Sequence, residues 1–312
     1  MQDLAVFLSA QGAGANRKTM VIGGSYPGAL SAWFRVHYPQ IAYASWSSSG
    51  VVQPIADFWQ FDNQVYTSAM KSGPECVASI QQTIDYITLQ GIARDAGDQN
   101  TVIDELLSTS SSAGMRTDDF MFYYADIFVE SVQYGHRTEL CDMLASHAGE
   151  SDQNIFYYSV MFGDQVAGVT PGDYDTNILS SPVINTNTSG RQWTYQYCTE
   201  YGWFQTPSIE TGHVMRSQFL RYDYWPKMCE RTFAGLDMTN LPQVTQTTVS
   251  ESGFDGMGTN TYFTNGVEDP WQWATIRETN DPTQHARTSN CNDCGHCVEM
   301  YTPTSSDPFE VK

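Results

Sequence analysis

The sequence predicts an α/β fold in which a parallel sheet is interrupted by a long, mainly helical segment. Three observations carry that expectation. Met20-Val21-Ile22, Ala29 to Tyr38 and Ile41 to Trp46 read as strand, helix and strand, a βαβ unit that lays its two strands parallel. Residues 57 to about 165 carry Ile, Leu, Phe, Tyr and Met at helical spacing with little β-branched alternation. Late in the chain Thr261-Tyr262-Phe263-Thr264, closed by Asn265-Gly266, reads as a further strand. A parallel sheet of this kind should be covered on both faces.

Each element has a local reason. Met20 to Ile22 is a short apolar run bounded by Gly23 and Gly24, as a buried strand requires. The helix that follows repeats Leu30, Trp33, Phe34 and Val36, has Pro27 where a first turn tolerates it, and is stopped by Pro39. The second strand runs into the small-residue stretch Ser47-Ser48-Ser49-Gly50. Ser79 to Arg94 and Thr117 to Ala145 have the helical spacing of the interrupting segment. From Pro171 to Arg191 the composition turns to Thr, Asn, Ser, Gly and Pro, which reads as a loop returning to the sheet. The expected division is a sheet core over 1–56, a helical insertion over 57–180 and a returning sheet core over 181–312.

Composition bounds the function. The 312 residues include 35 acidic and 15 basic side chains, a formal net charge of −20. Binding to a phosphate backbone needs clustered Lys and Arg, so nucleic acid is excluded as an expected partner. At 41% hydrophobic and 13% aromatic the chain can bury a large core, in one large domain or two ordinary ones. No apolar run approaches the roughly 18 residues of a membrane-spanning helix, and Met1 to Ala10 lacks the basic start and apolar stretch of a secretory signal. Seven cysteines, an odd number, leave at least one thiol without an internal partner. With Asn187-Thr188-Ser189 as a glycosylation sequon at Asn187, these features lean towards a secretory or lysosomal route.

The chemistry concentrates at Gly23-Gly24-Ser25-Tyr26-Pro27-Gly28, at the strand-to-helix junction. A nucleophilic Ser gains from that position because a sharp turn exposes its Oγ above the sheet, while the amide of the following residue, here Tyr26, points at a developing oxyanion. The motif departs from G-x-S-x-G, since Pro27 stands two residues after Ser25 and the glycine comes one later. Ser, acid and His must then follow in that order. Asp269 lies after the late strand in Asn265-Gly266-Val267-Glu268-Asp269-Pro270-Trp271, and His296 lies in Cys294-Gly295-His296-Cys297. Glu268 and Asp293 are rival acids. The Cys291-x2-Cys294-x2-Cys297 tract admits a thiol-disulfide or zinc reading, but it lies too near the chain end for a thioredoxin unit and lacks a distant second pair. A structural disulfide beside the His loop is the expected role, with no metal and no cofactor.

GGSYPGALSAWFR, WTYQYCTEYGWFQ (Trp193 to Gln205), NGVEDPW and GHCVEMY, taken together over nearly the whole chain, resemble the serine carboxypeptidase S28 family of proline-specific peptidases. The resemblance implies an α/β-hydrolase fold with a large helical cap insertion, and a triad of Ser25, Asp269 and His296. It also implies that Trp271 packs on a substrate proline, with Ala29 and Met300 lining the same pocket. The family's strands ahead of the nucleophile strand are missing here. The expected activity is that of a serine exopeptidase cleaving peptides after proline, in a secreted, lysosomal or vacuolar setting, with assembly as a homodimer admitted. The alternative is a hydrolase-like protein that keeps the triad residues but binds without catalysis.

Overall fold

Four parallel strands form the central sheet in the order β1 (Met20–Gly24), β2 (Ala44–Ser48), β5 (Thr261–Gly266) and β6 (Gln284–Ser289). A two-stranded sheet of β3 (Ile55–Asp57) and β4 (Gly202–Phe204) is separate from it. The structure, a computed structural model, describes every residue except 15, 16, 306, 310 and 312. The chain falls into two units: Met1–Ile55 with Val244–Lys312, which carries the parallel sheet, and Ala56–Gln243, which is mainly helical.

In the sheet unit, α1 (Gln2–Ala10) and α2 (Ser25–His37) flank the strands, and α12 (Val244–Glu251) re-enters from the helical unit. Val21, Phe34, Ala42 and Ala5 form a buried apolar cluster, extended by Leu8, Tyr38 and Ile41. Side-chain hydrogen bonds stitch the strands: the Ser45 hydroxyl donates to Thr261 Oγ1 at 2.9 Å, and Trp46 Nε1–H donates to Thr264 Oγ1 at 2.8 Å. Ser31 on α2 donates to the Trp46 carbonyl at 2.8 Å, fixing helix to strand. The second strand starts at Ala44 rather than Ile41, because Ile41 and Ala42 close a turn on the Tyr38 carbonyl. The expectation of a sheet covered on both faces fails. Met20, Ile22 and Tyr262, whose side chains alternate with the buried Val21 and Phe263, are exposed.

The helical unit holds α3 (Trp59–Ala69), α4 (Pro74–Asp95), α5 (Val102–Ser108), α6 (Thr117–Gln133), α7 (Arg137–Ser146), α8 (Asp152–Phe162), α9 (Thr176–Leu179), α10 (Gly190–Gln196) and α11 (Tyr224–Thr232). Their starts follow the sequence. Pro74 opens α4, and the Thr101 and Ser151 side chains accept the Asp104 and Asn154 amides as N-caps. Thr117 to Ala145 divides into α6 and α7 at Gly135, whose φ of 80° ends the first helix. Residues 181–243 group with this unit, not with the sheet as expected at 181. The reason is packing on α6: Trp225 on α11 meets Phe122 edge-on at 4.9 Å and Tyr224 donates to Asp119 at 3.1 Å, while the Cys198–Cys229 disulfide closes the segment on itself. Cys76 and Cys141 join α4 to α7.

A buried ion pair organises the same unit. Asp62 and Arg216 are both fully buried, with Arg216 Nε 3.1 Å from Asp62 Oδ1. Asp62 Oδ2 accepts the Ser208 and Met215 amides at 2.9 and 3.1 Å. Burial pushes the Asp62 carboxyl up, against the pull of Arg216 and of those amides.

Candidate active site

Because the four strands of the sheet are parallel, their C-terminal ends share one edge, the usual place for a site on an open α/β sheet. Ser25 follows the end of β1 directly and is the first residue of α2. Its φ is 61°, a conformation costly for a residue with a side chain, and characteristic of a Ser presented on a sharp strand-to-helix turn. Tyr26 follows within the first turn of α2, where backbone N–H groups have no intrahelical acceptor.

Asp269 comes just after β5 and caps a short 3₁₀ turn, Pro270–Ala274. Its Oδ1 accepts the Trp271 amide at 2.9 Å, and its Oδ2 meets His296 Nδ1 at 2.7 Å. Both side chains are buried. Burial alone pushes the imidazole down; the Asp269 charge and hydrogen bond, with a smaller contribution from the Cys297 thiol, outweigh it and hold His296 well above its ordinary 6.5. The Nδ1–H therefore points at the carboxylate, and the imidazolium is the stabilised form. Of the rival acids, Glu268 accepts the Asp293 amide at 3.0 Å and so anchors the loop that carries His296.

That loop is laced over the strand ends. Cys297 donates its amide to Ser49 Oγ at 3.0 Å and its thiol to the Ser48 carbonyl at 3.6 Å, and Thr264 donates to Glu299. Gly266 is required by close approach, since a Cβ there would lie 2.0 Å from the Gly295 carbonyl. At Gly24 the approach is by side chains, with Met300 Sδ at 2.7 Å and Cys297 Sγ at 3.0 Å from a Cβ placed on it, so a larger residue there would push the Met300 side chain aside. Cys291 and Cys294 form the expected disulfide beside the loop, and Cys297 carries a free thiol.

Ser25, Asp269 and His296 thus all lie in the sheet unit at the C-terminal ends of strands or on the loop that follows them. Trp271 is half-buried next to Asp269, Met300 is exposed with its sulfur beside Gly24, and Ala29 is fully buried in α2. Asn187 is exposed in the helical unit. Sequence reasoning missed Ser49, Glu268 and Glu299 as the residues that hold the His loop. The run Ser47-Ser48-Ser49-Gly50 was the available signal, since small residues at a strand end admit a crossing backbone.

Comparison with known proteins places the sequence in a family. The sequence profile described as Serine carboxypeptidase S28 matches residues 1–312. The chain is 30% identical over 294 residues to a probable serine protease, EDA2, of Arabidopsis thaliana, covering 93% of this chain and 56% of that protein. It is 25% identical over 311 residues to the human thymus-specific serine protease, covering 91% and 59%. It is 26% identical over 327 residues to the human lysosomal Pro-X carboxypeptidase, covering 95% and 61%. The chain therefore spans less than two thirds of the length of these relatives.

Proposed function

Since the chain belongs to the serine carboxypeptidase S28 family, we propose that it carries the catalytic centre of a serine exopeptidase that hydrolyses peptides after proline through an acyl-enzyme. Ser25 Oγ attacks the scissile carbonyl while His296 Nε2 takes its proton. Asp269 orients the ring through Nδ1–H and stabilises the imidazolium, the role its 2.7 Å hydrogen bond supports. The Tyr26 amide donates to the oxyanion of the tetrahedral intermediate. His296 returns the proton to the leaving amine, and water then repeats the sequence on the ester. The Trp271 indole gives a flat apolar wall for a proline ring and the exposed Met300 a second one, whereas Ala29, fully buried, acts only by leaving room behind them.

In this reading the sheet unit is the core of an α/β-hydrolase and the helical unit is its cap insertion. In the whole protein the core's sheet continues past β1, the edge strand, whose outer side pairs with no strand among the described residues. Names of relatives include a lysosomal and a probable extracellular carboxypeptidase, which favours a secreted or lysosomal setting and use of the exposed Asn187 sequon. No described helix is long and apolar enough to cross a membrane. Homodimer formation is part of the same proposal.

The observation that carries the reading is the buried Asp269–His296 pair on the sheet edge where Ser25 sits in a strained turn. A fluorophosphonate probe tests it: the wild-type chain should label and Ser25→Ala should not. The second reading, binding without catalysis, draws on the oxyanion side, where Tyr26 is the single donor assigned and loss of one donor costs about 10²–10³-fold in rate. A folded wild-type chain that fails to label would favour it.

A further inference from the structure

The helical unit contains a cavity of about 510 Å³ that the catalytic reading does not use. That volume is in the range of small-ligand sites. Its walls come from three segments: Asp57 and Trp59 at the end of β3 and the start of α3, Thr206 to Thr211 after β4, and Arg221 with Tyr222. The β3–β4 pairing builds the floor. The Phe58 amide donates to the Phe204 carbonyl at 2.8 Å, and the Thr206 hydroxyl donates to the Asp57 carboxylate. Phe204 also seats Tyr222, whose ring meets it edge-on at 5.8 Å. Burial first, and then the negative charge of Asp57, push the phenol up.

The chemistry of the lining favours a cation. Asp57 and Glu210 supply two carboxylates against one guanidinium, Arg221, and that guanidinium also attends Asp223. Trp59 and Tyr222 are each 40% exposed, large aromatic surfaces left uncovered next to an accepting carboxylate. Ser208 is committed elsewhere, to Asp62 and to the His213 carbonyl. A primary ammonium suits such a lining, since it donates charge-assisted hydrogen bonds to a carboxylate and is attracted by aromatic faces.

We propose that this cavity is an ammonium site for a peptide, with Asp57 accepting from the amine and Trp59 and Tyr222 flanking it. The inference rests on the peptidase reading for the choice of a peptide as the bearer of the amine. Two sources share the chemistry, a peptide's N-terminal ammonium and a lysine side chain.

The test is calorimetric titration of the Ser25→Ala chain, so that binding is read without turnover. Three probes are used: Ala-Ala-Phe amide, its N-acetyl form, and N-acetyl-Ala-Lys-Phe amide. The free amine is expected to bind, with acetylation weakening it tenfold or more. Recovery of affinity by the acetylated lysine peptide assigns the site to lysine, and no recovery assigns it to the N-terminus. Asp57→Asn should erase the preference for the amine, and Trp59→Leu should weaken the same ligand about threefold to tenfold, each in a chain whose circular dichroism matches the parent. Equal binding of free and acetylated peptides, or an unchanged preference in folded Asp57→Asn, overturns the proposal. Because no hydrolysis is measured, these outcomes are independent of the fluorophosphonate result that decides the catalytic reading.

Discussion

In the helical unit Asp62 is buried against Arg216 and further held by two backbone amides, whereas in the sheet unit Asp269 is buried against His296 and held by one. Both pairs bring a carboxylate to a cation out of water. They differ in the partner. A guanidinium stays charged at any working pH, so the first pair has a fixed cation and serves to fix α3 against the segment around Arg216. An imidazole changes charge, so the second pair has two states, and its carboxylate decides which is favoured. The difference teaches which buried charges in this chain are architecture and which can perform chemistry.

The widest separation between the two comes from removing each carboxylate's charge. Asp269→Asn keeps an N-cap for Trp271 but no longer favours the Nδ1–H tautomer, and is expected to slow fluorophosphonate labelling on the order of 10⁴-fold in a chain that stays folded, its urea midpoint lowered only by the pH-dependent stability of the charged pair. Asp62→Ala should do the reverse. It leaves Arg216 buried without its partner, a loss of about 3–5 kcal/mol in urea unfolding. Replacing both members, Asp62→Leu with Arg216→Met, should recover much of that loss. If Asp269→Asn unfolds the chain, or if Asp62→Ala costs under about 1 kcal/mol, the division between the two pairs is wrong.

The disulfides sharpen the same contrast at a smaller scale. Cys76 and Cys141 are 65 residues apart, and converting both to Ser releases a long loop between α4 and α7. A loss of about 2–4 kcal/mol is expected in the helical unit. Cys291 and Cys294 are 3 residues apart, so little chain entropy is at stake. Their conversion should instead show in the labelling rate, because the bridge lies on the strand-end loop that carries His296. Equal stability losses from the two conversions would contradict that assignment.

Much of this was legible in the residues. The motif around Ser25 gave the strand, the turn and the helix, because an apolar run, two glycines and a first-turn proline each act locally. The pairing of Asp269 with His296 was legible from chain order and turn chemistry. The boundary of the helical unit was not. Residues 171–191 are polar and rich in turn formers, and nothing local reveals that Trp225 and Tyr224 pack back on α6 through contacts made a hundred residues away in sequence. Strand β6 was missed for a related reason. Gln284-His285-Ala286-Arg287-Thr288-Ser289 has no apolar alternation, and as an edge strand it is defined by its register with β5 instead of by burial. The ties that hold the His loop, Ser49 to Cys297 and Glu268 to Asp293, join segments distant in sequence and leave no periodic trace.

The smallest expected effect concerns pH and bears on the titratable pair alone. His296 is held above its ordinary value in the folded chain, chiefly because the Asp269 charge outweighs burial. A group raised in this way contributes stability that is fully present below its unfolded value near 6.5 and is lost as pH rises through the folded value. The proposed catalysis runs the other way, because only the neutral ring can accept the Ser25 proton. Labelling should therefore climb with pH through a midpoint above 6.5. The residual labelling of Asp269→Asn, slow but measurable at high probe concentration, should climb through a lower midpoint, since burial then acts without the opposing charge. Asp62→Asn, which alters a pair that does not include His296, should leave the midpoint where it was. A midpoint that moves equally in both variants would mean that the profile reports unfolding and not the imidazole.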